Sequence, residues 1–243
     1  MSDLKRMLAI AKQLKGSLDE LLFQVKVNDS GEARVSATIH LSVGEQFAAT
    51  IYLIEGGYSH HAPIMVRSML EGFANLMNLV KDPRFLDQIN YENAVNDLKM
   101  FDSYLEDPAI QQDKEATANL LQWKANAMMH KDQMTAKGCT GKQSVWEKCK
   151  NANILSAYVS YRTLSAFAHG QLTILLARHA GNSELRYHDE APIETTASIL
   201  RIAASIFRDS FNNMIQHYTN VDAKTLEATI EIADSLIAEL NQV

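Results

Sequence analysis

The sequence predicts an all-α protein, a single bundle of roughly eight helices over residues 1–243. Three observations carry this. Only 10 glycines and 4 prolines occur in 243 residues, in a chain that is 47% hydrophobic and rich in Leu, Ala, Met, Glu, Lys and Gln, a composition that favours helices over loops. Apolar residues recur at three- and four-residue spacing over long blocks, the period of an amphipathic helix. The Gly-Gly and Asp-Pro pairs fall between those blocks, where helices stop and start.

Leu4, Leu8, Ala11, Leu14, Leu18, Leu21 and Leu22 predict a first helix over 3–26, with a break at Asn28-Asp-Ser-Gly. A second helix is expected over 35–55, stopped by Gly56-Gly57 as a C-terminal signal. The third, 60–81, is apolar over most of its circumference, as a central buried helix is. It also carries a polar seam of His60, Arg67, Glu71, Asn75 and Asn78, in which Arg67 and Glu71 can pair at i,i+4. Asp82-Pro83 and Asp107-Pro108 read as an Asp cap followed by Pro at the first helical position. They predict helices over 84–105 and 110–134 on the outside of the bundle. A loop at 135–142 and a short helix near Trp146 lead to a long helix over 151–179. Residues 181–192 read as a connector, with a small turn or hairpin near 181–190. Helices over 193–218 and 222–241 form a C-terminal hairpin on a core placed at 35–180.

The totals restrict function. A net charge of −6 offers no general attraction to nucleic acid, although residues 124–150 hold six Lys against Asp132 and Glu147, a local excess of +4. The two cysteines, Cys139 and Cys149, have no companion ligands and read as reduced intracellular thiols. The first residues lack an apolar signal core, and no run of about 18 apolar residues occurs. The expected location is therefore the cytoplasm, with no membrane partner. There is no phosphate-cradling glycine loop, zinc-spaced cysteine pair or His-Glu-x-x-His, so neither metal nor cofactor is expected. His60 and His61 are adjacent and point about 100° apart on a helix, a poor metal pair.

The remaining chemistry lies in Tyr-Val-Ser-Tyr-Arg-Thr-Leu-Ser-Ala-Phe-Ala-His-Gly, residues 158–170. On a continuous helix Arg162 and His169 lie roughly 20° apart around the axis, and Tyr158 and Ser165 share their stripe. Arginine is a fixed planar cation suited to phosphate oxygens, and histidine moves a proton near neutrality. RNA supplies its own 2′-hydroxyl nucleophile beside the scissile phosphate. The histidine would take that proton or protonate the leaving 5′ oxygen. The arginine would stabilise the charge of the transition state, leaving a 2′,3′-cyclic phosphate without a metal.

An Arg followed by a His on a late helix of an all-helical bundle resembles the HEPN superfamily, which includes metal-independent ribonucleases of toxin–antitoxin, abortive-infection and CRISPR-associated systems. The resemblance implies a homodimer in which two such motifs meet, with an acidic residue from an earlier helix, for which Glu71 is the match. It also implies RNA or a nucleotide as ligand and an antitoxin or defence-system protein as partner. The motif departs from the pattern at Thr163, where Asn, Asp or His is usual, and its six-residue spacing is the long limit. More narrowly, the Arg67–Glu71 helix followed by the Tyr…Ser…His helix looks like a bacterial family of uncharacterised helical proteins, over roughly residues 40–180.

The expected site is thus Arg162, His169 and Glu71 as catalytic groups, supported by Arg67, Tyr158, Ser165 and Asn75. Two alternatives stay open. The seam could hold a nucleotide or other anion without cleaving it. Or the Arg67–Glu71–Arg162 network and a satisfied His169 could be structural, in a helical interaction protein.

Overall fold

The computed structural model describes residues 3–168, 170–180, 184–186 and 191–243. Among these the secondary structure is helical, with only isolated β-bridges besides. Among the described residues eleven α-helices replace the roughly eight expected, because two predicted helices are each divided; the short helix expected near Trp146 is present. They are α1 (Asp3–Leu22), α2 (Gly31–Glu55), α3 (Ala62–Lys81), α4 (Phe85–Leu105), α5 (Pro108–Gln112), α6 (Lys114–Ala136), α7 (Val145–Asn151), α8 (Leu155–Ala168), α9 (Leu172–His179), α10 (Ile193–Met214) and α11 (Ala223–Gln242). The chain forms two compact units, residues 82–144 and the remainder.

In the larger unit α2 and α3 pack as antiparallel neighbours, α10 lies against both, and α1 fits against α10 and α11. Phe47 from α2, Met69 and Leu76 from α3, Leu14 and Leu18 from α1, and Leu200, Phe207 and Phe211 from α10 are all fully buried. Each such side chain contributes on the order of 1.5–3 kcal/mol. α10 is therefore part of the core. Ser30 caps α2 by accepting from the Ala33 amide at 3.3 Å, and Asp222 caps α11 through the Thr225 amide at 2.9 Å. α2 ends at Gly56-Gly57 as expected, with Gly57 at φ 81°.

Polar groups stitch this core. His40, buried in α2, has Nδ1 at 2.9 Å from Ser210 Oγ, and that hydroxyl donates to the Phe207 carbonyl at 2.7 Å. Ser210 therefore accepts from His40, which fixes the tautomer with the proton on Nδ1. The His40 ring stacks on Phe207 at 5.7 Å. Burial first, then the charge of Lys15, bring its pKa down to about 4. The segment after α1 pairs with the segment after α10: the Asn28 amide donates to His217 O and the Thr219 amide to Lys26 O, each at 2.9 Å. Arg6 and Glu239 join α1 to α11 at 2.9 Å.

In the smaller unit α4 and α6 form an antiparallel hairpin. α6 buries Leu120, Ala127 and Met134, a seven-residue repeat suited to shallow-angle pairing. Asp107-Pro108 caps a helix as predicted, but that helix, α5, is one turn long. Asp113, accepting from the amides of Glu115 and Ala116 at 3.0 Å, starts α6 anew. Asp82-Pro83 forms a turn, and α4 begins at Phe85. Three of the six lysines of the basic segment are engaged within this unit: Lys124 pairs with Asp102 at 2.5 Å and Lys137 with Asp87 at 2.7 Å, and Lys142 bonds Asn96.

The helix predicted over 151–179 is broken. α8 ends at Ala168, and α9 starts at Leu172 after Gly170, which adopts φ 57°, a left-handed conformation that glycine takes most readily. Of the hairpin expected near 181–190, an antiparallel bridge joins Ala180 to Leu185, and the rest lies outside the described residues. Among the described residues no helix is long and apolar enough to cross a membrane.

Candidate functional site

α8 packs on α3, and the inner face of α8 decides what the two helices exchange. Leu164 is the buried residue of α8, and Ala157, Tyr161 and Leu164 lie along one stripe. Arg162 is about 160° from Leu164 around the axis. It is accordingly exposed, and among the described residues it has no hydrogen-bond or ion-pair partner. The two polar seams therefore do not meet through Arg162.

Tyr161 makes the connection instead. Arg67 donates from Nη2 to Tyr161 Oη at 3.1 Å, and its guanidinium lies 5.3 Å from the centre of the Tyr161 ring. The same Nη2 is 2.8 Å from Glu71 Oε1. The Tyr161 hydrogen bond, helped by Glu71 and opposed by partial burial, holds the Arg67 guanidinium above its ordinary pKa. Arg67 Nε is buried without a hydrogen-bond partner, as is Asn75 Oδ1 one turn beyond Glu71. Asn78, fully inside, donates to Ala74 O at 2.7 Å and to Lys148 O at 2.8 Å, pinning α7 to α3.

Two further expected residues lie on α8. Tyr158 stacks on Tyr161 with centroids 6.1 Å apart. Ser165 donates to the Tyr161 carbonyl at 2.7 Å, the back-bonding common for serine within a helix, so its hydroxyl is held on its own helix. His169 lies outside the described residues. The structure thus brings Arg67, Glu71, Tyr161 and Tyr158 together, and leaves Arg162 on the opposite side of α8. Residue type alone does not mark Tyr161, because its ring belongs to the apolar period and only its hydroxyl is polar. The spacing of Ala157, Tyr161, Leu164 and Ala168 is the signal that marks the inner face.

The outer face of α8 mixes apolar and polar residues. Leu155 is 47% and Val159 69% exposed, and with Arg162 and Thr163 they form one stripe. On its other flank α8 borders a groove. A cleft of about 460 Å³ runs between Met77 of α3, Ala157 and Ser160 of α8 and Ile202, Ile206 and Asp209 of α10. A second of about 390 Å³ continues from Ser160 and Ile202 to Phe167 and Glu194. Among the described residues no group of three His, Cys, Asp or Glu side chains could hold a metal ion.

No curated protein and no solved structure matches the chain. A family model does match, over residues 33–187, which spans α2 to the segment after α9 and so includes both the Arg67–Glu71 helix and the Tyr161–Arg162 helix. That is more than half of the chain, and the protein accordingly belongs to DUF5677, a family of unknown function.

Proposed function

We propose that the chain is a metal-independent endoribonuclease effector of the toxin or phage-defence type, which cleaves RNA through Arg162 and His169 as a homodimer. The observation that carries this is the state of Arg162: an exposed cation without a partner among the described residues, on the same exposed face of α8 as Leu155 and Val159. A lone guanidinium flanked by unpartnered apolar surface suits a phosphate held at a junction between copies, because such a junction would exclude water around the charge. Glu71 and Tyr161 are engaged by Arg67 on the inner side of α8, away from Arg162. His169, seven residues after Arg162, supplies the proton chemistry: it accepts the 2′-hydroxyl proton or donates one to the leaving 5′ oxygen. Glu71 has a positioning role, because it fixes Arg67, which holds Tyr161 and with it the helix that carries Arg162. The HEPN-like arrangement of the motif supports the same reading.

The test uses the full chain. Wild type, Arg162→Ala and His169→Ala are induced in a bacterium, and the purified proteins are incubated with total RNA in chelator, with and without any neighbouring antitoxin-like protein. Wild type is expected to arrest growth and to leave 2′,3′-cyclic phosphate ends. Each variant is expected to lose on the order of a hundredfold or more in cleavage rate. Wild type and variants that cleave alike, or not at all, would remove the ribonuclease reading in favour of a non-catalytic nucleotide- or anion-binding or helical interaction protein.

A further inference from the structure

One helix of the larger unit packs only loosely on the described residues. α9 reads Leu-Thr-Ile-Leu-Leu-Ala-Arg-His and buries none of its residues. Leu172 is 70% and Leu176 53% exposed. A helix this short is not stable in water on its own propensity and needs a surface to pack against. The same unit has an unfilled apolar slot. Between Val159–Phe167 of α8 and Glu194–Ile202 of α10 lies the cleft of about 390 Å³, with Leu164 and Ile199 at its walls. α8 is held by α3 and makes few contacts with α10 along this length.

We propose that α9 of one copy seats in the α8–α10 groove of a second copy, and reciprocally, with Arg178 against Glu194 of the receiving chain. Three features support this occupant over any other. The lengths agree: α9 has eight residues, and the slot spans eight residue steps on each wall, both about 12 Å. The chemistry agrees: the slot is lined by Val159, Phe167, Ile199 and Ile202, with Glu194 at one end, and α9 offers leucines with Arg178 near its C-terminus. Among the described residues the Arg178 guanidinium has no ion-pair partner, whereas the neighbouring His179 is held by the Arg186 carbonyl at 3.0 Å. Thirdly, α9 leaves α8 through Gly170-Gln171 and among the described residues makes little contact with it, so its own groove stays open. One helix of this length in one slot is small beside the about 800 Å² per partner of a stable complex. Reciprocal exchange about a two-fold axis doubles the contact and closes the assembly at two copies.

Light scattering after size exclusion tests the assembly, and cross-linking tests the seat. The wild type is expected to be a dimer at micromolar concentration. Leu172→Asp combined with Leu176→Asp, both at exposed positions and so compatible with an unchanged helical spectrum, is expected to raise the dimer dissociation constant about a hundredfold. Arg178→Glu is expected to weaken the dimer, and Glu194→Arg in the same chain to restore it. In a Cys139→Ser background, Leu176→Cys with Ser198→Cys is expected to give a disulfide between chains, seen as a dimer band without reductant. A wild type that is monomeric to its solubility limit overturns the proposal. So does a dimer indifferent to the α9 substitutions, or a cross-link formed only within one chain. None of these readouts involves RNA. An α9-exchanged dimer without nuclease activity would leave this inference standing and remove the ribonuclease one.

Discussion

Arg67 meets a phenol, a π face and a carboxylate at once, and the division of work among them is testable side chain by side chain. Tyr161→Phe keeps the ring under the guanidinium and removes only the hydroxyl acceptor. The loss is expected to be about 1 kcal/mol, toward the lower end for a hydrogen bond to a charged group because the site is partly solvated, and urea unfolding reads it. Glu71→Gln is expected to cost less than that and to leave the pH profile of any RNA cleavage unchanged, as a positioning residue should. A lost acidic or basic limb of that profile would instead make Glu71 a proton-transfer group. At this scale the sequence was half legible. The i,i+4 spacing of Arg67 and Glu71 predicts their ion pair, and it forms. The partner on the neighbouring helix was not legible from residue type, because tyrosine is polar at its tip and apolar in its body. Only the inward stripe through Leu164 shows which of Tyr161 and Arg162 faces α3.

Helix α2 meets α10 at Gly44, where an added Cβ would lie 3.0 Å from the Phe207 ring. That ring is fully buried and packed on both His40 and Phe47, so it has no free direction in which to move. Gly44→Val is expected to cost about 1–3 kcal/mol as overpacking. Differential scanning calorimetry should show a lowered midpoint, whereas an unchanged midpoint would mean that α10 can shift as a body. Elements with a strong apolar period, α1 to α3, α10 and α11, are predicted by the sequence to within a few residues at most ends. The divisions at Asp113 and Gly170 are not. An aspartate within a polar run is as compatible with a solvated helix surface as with a cap. A single glycine within an apolar run breaks a helix only when the residues after it favour the left-handed turn.

Across the whole molecule, His40 links stability to pH. Its folded pKa of about 4 lies below the ordinary unfolded value of about 6.5, because the interior accepts the ring only as the neutral form. Between those two values the unfolded chain binds the extra proton, so stability is full above the upper one and falls as the pH drops toward the lower one, by about 3 kcal/mol in all. Urea midpoints measured between pH 7 and pH 4.5 should fall accordingly, and His40→Asn should flatten that part of the slope while lowering the plateau. Periodicity does not tell which helix packs on which, so the pairing of α1 with α10 and α11 could not be read from local pattern. That pairing has a kinetic side. Leu14 and Leu18 are covered by helices that begin at Ile193, some 170 residues later in the chain. At a synthesis rate of about 5–20 residues per second, the apolar face of α1 waits roughly 10 to 30 s for its cover. During that interval it is a ready target for a chaperone, or for the same face on a neighbouring nascent chain, and slower translation between α3 and α10 would lengthen the exposure.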